Sequence, residues 1–346
     1  MRFVLRGLPG LLLDVCIYGY LAGLLFARLA RGFWGDQFWW LILANCFAPW
    51  MFLVAPIGAL GAIAARRGQW VVTAAWLPVL MFGVLYGPRL LPPPGTNPAE
   101  AATLRLLTYN VLGTSDESAR IVHTVIASDA DVVAIQELNP VVASDLQAAL
   151  RDAYPFQALH PRNGVSGLGV FSKLPMQDRG ERRLRTWENW AQEVVIEWDG
   201  RPLTLFNLHG EPVARTAPTL RRSLAAFEQS FRAQEAQTRE LLMHAEALDG
   251  PIVFAGDFNR GDENVTHGWI TAQYRDAFSE TGQGFGHTFP SPSGRAAIGR
   301  LGSFPFSVRI DYVYYSPELE SIDSRVADWD GVSDHYAVSA TLVWNE

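Results

Sequence analysis

The sequence predicts an α/β domain preceded by three transmembrane helices, and three observations carry that expectation. Charge is unevenly distributed: residues 1–103 hold seven arginines and three acids for a net +4, whereas the remainder nets −11. Long uncharged apolar runs fill the first part. In the second, short β-type runs alternate with amphipathic helical stretches. The whole-chain averages, 49% apolar and 18% charged with a mean hydropathy of +0.07, therefore blend two unlike segments. A charged fraction below the usual quarter excludes a disordered polyelectrolyte, and two cysteines exclude a disulfide framework.

The predicted spans cover roughly 8–28, 39–64 and 70–90, each reaching the ~20 apolar residues that a bilayer core demands. Trp34, Trp39, Trp40 and Trp70 fall at their ends, as interfacial aromatics do. Pro49 and Pro56 predict a kink in the second run. A cleaved signal peptide explains at most the first run. With the N-terminus inside, Arg2, Arg6, Arg66 and Arg67 are cytoplasmic against Arg28, Arg31 and Arg89 outside, which favours an extracytoplasmic C-terminal domain. Asp14 lies within the first span, where a carboxylate is costly, and is expected to face a neighbouring helix. Cys16 and Cys46 both lie in the spans, leaving no cysteine-based metal site beyond them.

The stretch 92–102 begins Pro92-Pro93-Pro94-Gly95 and reads as a stiff, extended linker. From residue 103 to 346 we expect one catalytic domain without internal repeats. Strands are expected at Leu104–Val111, Asp131–Leu138, Leu168–Ser172, Glu193–Trp198, Leu203–His209, Pro251–Phe258, Arg309–Tyr315 and Tyr336–Trp344. Helices fit 117–128, 140–152, 217–248 and 266–277. The long one places Leu220, Leu224, Phe227 and Phe231 on one stripe. Strands and helices mixed in this way favour sheets covered by helices.

Several of these strands run from an apolar body into a polar tip. Leu106–Asn110 ends in an amide, Val132–Glu137 in a carboxylate, and Leu205–His209 in an imidazole. Ile252–Asn259 ends in Asp257 and Asn259, two apart and so on one strand face. Arg309-Ile310-Asp311-Tyr312 opens one strand, and Ser333-Asp334-His335 precedes the last. Taken singly, each has an ordinary structural reading: Glu137 as a helix cap, His209 as a buried structural histidine, Gly256–Asn259 as a turn. Six such tips in one domain point instead to metal-assisted phosphoester hydrolysis. Mg²⁺ prefers oxygen ligands and is usually held by one or two carboxylates. Glu137 with Asn110 supplies such a site, with Asp334 as a further ligand. Asp257 and Asn259 suit the holding of an attacking water. Asp311 paired with His335 gives a group able to move protons, and His209 would protonate the leaving oxygen or bind phosphate.

This ordered set resembles the endonuclease/exonuclease/phosphatase superfamily over about 104–346. Tyr274-Arg275-Asp276-Ala277-Phe278 and His287-Thr288-Phe289-Pro290 are similar to its bacterial members. The resemblance implies a deoxyribonuclease-like, four-layer α/β sandwich with the site at one end. It implies Glu137 as the main ligand of Mg²⁺ or Mn²⁺ with Asn110 assisting, and Asp257 and Asn259 positioning water or stabilising the transition state. His335, paired with Asp311, would act on the phosphate or the water.

Fold and motif do not choose the substrate. A nuclease gains affinity from Lys and Arg on phosphates, yet this acidic domain holds the chain's single lysine, Lys173. Arg179, Arg182, Arg183 and Arg185, and separately Arg221 and Arg222, cluster in ways that suit a solvated face. Membrane spans would tether the site beside a lipid substrate. The layout resembles the vancomycin-resistance-associated (VanJ-like) branch. That branch implies a multi-pass protein of the bacterial cell membrane acting on a polyprenyl pyrophosphate such as the undecaprenyl carrier. The expected function is a membrane-anchored, metal-dependent phosphohydrolase of a lipid-linked phosphate. The alternatives are a phosphodiesterase, either sphingomyelinase-like or an extracytoplasmic endonuclease, and a catalytically idle membrane scaffold.

Overall fold

The computed structural model describes residues 7–93, 102–182, 191–212, 220–297 and 306–345. Arg2, Arg6, Arg183, Arg185 and most of the Pro-rich linker lie outside the described residues, as do the side chains of Leu220 and Arg221. The chain divides into two compact units, Met1–Leu91 and Pro92–Glu346.

The first unit is helical: α1 (Leu8–Trp34), α2 (Trp39–Cys46), α3 (Ala55–Ala64) and α4 (Gln69–Tyr86), with 3₁₀ turns at Pro49–Phe52 and Gly87–Leu90. Two helices, Leu8–Trp34 and Gln69–Leu90, are long and apolar enough to cross a membrane. The expected second span is not one helix: Trp39–Cys46 and Pro49–Ala64 meet at 75°, and the total reaches three only if this bent pair counts as one span. Pro49 explains the break, because it lacks an N–H and its ring clashes with the carbonyl four residues back. Ala59, Ala62, Ala74 and Ala75 are buried around Ile17 and Val71, and Leu41, Ile42, Phe52 and Tyr86 are buried in the same unit. Large apolar ones face outward: Leu8, Leu12, Val15, Phe33, Ile57, Leu60, Leu80 and Val84 are all exposed. Asp14 accepts a hydrogen bond from Arg67 Nε at 2.9 Å, so this carboxylate does meet a partner beyond its own helix.

The second unit contains two six-stranded sheets. Its elements are β1 (Thr103–Asn110), α5 (Ser118–Ala127), β2 (Val132–Gln136), α6 (Pro140–Ala149), β3 (Phe156–His160), β4 (Leu168–Ser172), β5 (Met176–Arg182), β6 (Ala191–Trp198), β7 (Arg201–His209), α7 (Leu220–Glu246), β8 (Ile252–Asp257), α8 (Val265–Thr271), β9 (Arg275–Asp276), α9 (Ala277–Thr281), α10 (Pro292–Ala297), β10 (Asp311–Tyr315), β11 (Leu319–Val326) and β12 (Val338–Trp344). One sheet runs β11-β12-β1-β2-β4-β3 and the other β5-β6-β7-β8-β10-β9. Each has one parallel pair at its centre, β1 with β2 and β7 with β8, joined through a crossover helix. The two sheets thus follow one plan, although no sequence repeat announces it.

Side-chain alternation builds the layers. Leu104, Leu106, Val132, Ala134, Leu203, Leu205, Val253, Ala255 and Val313 fill the space between the sheets. The opposite faces pack on helices: Leu107, Tyr109, Val133 and Ile135 with Ile121, Val125, Val142 and Leu146 on one side. On the other side Phe206, Leu208, Phe254 and Tyr314 pack with Leu241, Ala245 and Ile270. Helices, sheet, sheet and helices make the expected α/β sandwich. The expected helix 266–277 ends early at Thr271, because Arg275 and Asp276 instead pair as a short strand with Tyr315 and Tyr314. Asp276 then caps α9 by accepting from Phe278 N and Ser279 N.

Candidate active site

The inward-facing row of each central strand changes character at one end. In β1 it reads Leu104, Leu106, Thr108, Asn110; in β7, Leu203, Leu205, Asn207, His209; in β8, Val253, Ala255, Asp257. In the second sheet His209 lies beside Asp257 in register, and Asp257 beside Asp311. In the first, Asn110 lies beside Gln136. Glu137 follows Gln136 at φ +58°, a left-handed conformation uncommon for a side-chain-bearing residue. Gly256 (φ +153°) precedes Asp257, and a Cβ there would collide with the backbone carbonyl of Leu208.

The polar tips of both sheets meet at this end. Asn110 Nδ2 donates to Glu137 Oε1 and to Asp257 Oδ2, both at 3.1 Å, tying one carboxylate from each sheet together. Its oxygen accepts from Leu112 N. Glu137 Oε2 accepts from Gly113 N at 2.7 Å. His209 Nδ1 donates to the Val165 carbonyl at 2.7 Å, and its Nε2 faces Glu137 Oε1 at 3.7 Å and Asp257 Oδ2 at 3.6 Å. Asp257 Oδ1 accepts from Asn259 N at 2.8 Å, and the Asn259 amide also donates to the Gly210 carbonyl. His335 Nδ1 donates to Asp311 Oδ2 at 2.9 Å, with Nε2 3.6 Å from Asp257 Oδ2. The ring of Phe289 packs on His335 at 4.9 Å between centroids.

Burial and charge set the protonation states. Burial alone would lower the His335 imidazolium, but the charges of Asp311 and Asp257 outweigh it and push it up to about 10. Burial raises the Asp257 carboxyl to about 6, opposed by His335 and reinforced by Asp311. Asp257 and His335 lie 3.6 Å apart and titrate as a pair, with a cationic imidazole as the favoured state at neutral pH.

The donors suit a hard divalent cation, since carboxylate and amide oxygens predominate. Among the described residues, Asp257, Asp311 and His335 form a group of three whose ligand atoms lie within 4.8 Å of one another. Asp311 Oδ1 is buried without a hydrogen-bond partner. The structure brings Asn110, Glu137, His209, Asp257, Asn259, Asp311 and His335 into one connected cluster. Asp334 flanks it, its backbone carbonyl accepting from Ser291 N at 2.8 Å, but it is not a member of the three-residue group. Of the arginines singled out, Arg182 is engaged with Glu193 at 2.7 Å.

Several supporting residues escape sequence reasoning. Gln136 Nε2 donates across the sheets to Asn207 Oδ1 at 2.7 Å. Ser333 Oγ donates to the Asn110 carbonyl at 2.6 Å and accepts from His335 N at 3.0 Å. Thr288 Oγ1 accepts from Ile310 N and Asp311 N. Thr288 stands in a segment already similar to bacterial members, but its partners are twenty-odd residues distant and invisible to spacing.

Comparison with known proteins agrees with this geometry. The sequence model described as the Endonuclease/Exonuclease/phosphatase family matches residues 107–335. No curated protein matches the chain. Among solved structures it is similar to an endonuclease/exonuclease/phosphatase from Bacteroides vulgatus, with 17% identity, a TM-score of 0.53, and coverage of 70% of this chain and 99% of that one. It is also similar to one from Beutenbergia cavernae, with 20% identity, a TM-score of 0.51, and coverage of 70% and 72%. A humanised TDP2 from D. rerio has 17% identity, a TM-score of 0.52, and coverage of 69% and 98%. At these identities the likeness shows the fold.

Proposed function

This chain belongs to the endonuclease/exonuclease/phosphatase family, and from that premise we propose that it is a membrane-anchored phosphohydrolase of a lipid-linked phosphate or pyrophosphate. Family members are phosphoester hydrolases, typically metal-dependent. The observation that carries the finer reading is the inside-out first unit, with alanines buried and large apolar side chains exposed. Helices that bury small residues and present leucine and phenylalanine outward suit lipid, not water. The acidic second unit, with Lys173 as the chain's one lysine, disfavours a polyanionic duplex as substrate. The branch resemblance noted above, the bacterial cell membrane and the extracytoplasmic orientation all belong to this proposal.

Glu137 would hold the divalent cation, Mg²⁺ or Mn²⁺, with Asn110 and Asp334 assisting. When bound, the ion neutralises charge on phosphoryl oxygens. Asn110 keeps the Glu137 and Asp257 carboxylates in fixed register. Asp257, with Asn259 beside it, orients the attacking water by accepting its hydrogen bond. Asp311 holds the His335 ring by Nδ1, leaving Nε2 to donate to phosphate. His209, fixed by the Val165 carbonyl, presents Nε2 to the leaving oxygen.

The test is a phosphate-release panel with purified full-length protein in lipid nanodiscs and Mg²⁺. Release from an isoprenoid pyrophosphate, abolished in Glu137→Ala, supports the reading. Release of phosphocholine, or plasmid nicking at comparable turnover, selects the phosphodiesterase alternative. Wild-type rates equal to His335→Ala on every phosphoester leave the scaffold.

A further inference from the structure

The Asp311–His335 pair joins a strand of one sheet to the loop that enters the last strand of the other. Something must keep those two pieces of backbone in register, since they are 24 residues apart in sequence and meet through one hydrogen bond of 2.9 Å. Thr288 sits where both can be reached, and it is fully buried. Its hydroxyl oxygen accepts from two successive backbone amides, Ile310 N at 3.1 Å and Asp311 N at 3.2 Å. Its carbonyl accepts from Tyr336 N at 2.9 Å, the residue directly after His335. Its own amide donates to the Val308 carbonyl at 2.9 Å, and the next residue, Phe289, exchanges hydrogen bonds with Val308 and lays its ring on His335. One residue therefore grips the backbone of the carboxylate with its side chain and the backbone of the imidazole with its main chain.

We propose that Thr288 is a positioning residue for catalysis, clamping Asp311 and His335 into the geometry of their hydrogen bond. The proposal rests on the reading that this pair serves phosphoester hydrolysis. A β-branched hydroxyl fits the task. Its branched Cβ restricts χ1, so the oxygen stays aimed at the two converging N–H groups. Valine has the same shape but offers those amides a methyl group. Serine keeps the oxygen and loses the γ-methyl and the stiffness that comes with it.

The experiment compares Thr288→Val, Thr288→Ser and wild type as full chains in detergent micelles. Two readouts are taken: turnover with Mg²⁺, and the Nδ1–H resonance of His335 in ¹⁵N-histidine NMR, assigned by its loss in His335→Asn. Wild type and Thr288→Ser show the downfield resonance of a strong imidazole–carboxylate hydrogen bond. Thr288→Val moves it upfield or broadens it, with kcat falling about 10- to 100-fold, as for loss of an outer-shell partner, and KM little changed. Thr288→Ala, which loses the oxygen without adding a buried methyl, serves if the valine variant does not fold. An unshifted His335 resonance in Thr288→Val overturns the proposal, whatever happens to melting temperature or rate. Absence of hydrolysis by the wild type overturns the functional reading instead, and the resonance comparison still decides for Thr288.

Discussion

Asn207→Ala probes how the two sheets are held together behind the site. Asn207 is fully buried on β7, two residues before His209. Its Nδ2 donates to the Ile135 carbonyl at 2.9 Å, the Gly169 carbonyl at 3.1 Å and Gln192 Oε1 at 3.2 Å. Its Oδ1 accepts from Gln136 Nε2 at 2.7 Å. Truncation removes all four contacts at once. The amide's two N–H groups are shared among three acceptors, so about three full hydrogen bonds are lost, roughly 3 kcal/mol at a net of about 1 kcal/mol each. Gln136 gives little relief, because its Oε1 already lies buried without a partner. A protein of this size loses roughly 2–4 °C of melting temperature per kcal/mol, so the expected shift is on the order of 6–12 °C. Scanning fluorimetry of the full chain in one detergent measures it directly. Replacing both partners, Gln136→Leu with Asn207→Leu, should cost less than the sum of the two single changes, because the loss of their shared hydrogen bond is then counted once and neither amide of that bond is left without the other. A shift under about 3 °C for Asn207→Ala, against the roughly 6–12 °C expected, or strict additivity in the pair, would refute the inter-sheet bond as a structural tie.

Three further outcomes follow from the same geometry. Glu137→Gln keeps the shape but removes the charge, and calorimetric titration with Mn²⁺ should show affinity lowered at least about tenfold with the fold intact; unchanged affinity would move the ion elsewhere. His335 has its folded-state value raised above the ordinary imidazole range, so its protonation stabilises the fold. That contribution is whole below about pH 6.5 and is lost as pH rises towards about 10; metal-free melting curves should decline over that window in wild type and be flatter in His335→Asn. Gly256→Ala drives a Cβ into the Leu208 carbonyl of the adjoining strand, and neither backbone can retreat; the expected result is protein that does not fold, and a soluble, native-like variant would contradict the crowding.

The eight strands that apolar runs disclose are the inner ones of both sheets. The four left unpredicted, β3, β5, β9 and β11, are the four sheet edges. An edge strand need not be apolar on both faces and often carries charge that discourages pairing with other chains. β5 reads Met-Gln-Asp-Arg-Gly-Glu-Arg and contains an irregularity between Asp178 and Gly180, so no periodicity betrays it. The candidate site was legible because its residues terminate apolar strands and keep the period-2 alternation. Its supports were not, because hydrogen bonds such as Thr288 with Asp311 or Gln136 with Asn207 depend on how two sheets face each other. The stripe of α7 illustrates the same limit: Phe231, Leu241 and Ala245 are buried, whereas Leu224 and Phe227 are only half-buried.

The placement of β12 sets the order in which the polar cluster is assembled. This last strand inserts between β11 and β1, pairing with the first strand of the domain from Thr103↔Val343 to Thr108↔Val338. His335 lies at its entrance. During synthesis, β1 emerges early and waits with one side open until β12 arrives. A nascent or C-terminally clipped chain has Glu137, His209 and Asp257 but no seated imidazole beside Asp311. Seating of the His335 ring beside Asp311 is thus a late step in building the cluster, because it waits on a strand that pairs with the much earlier β1.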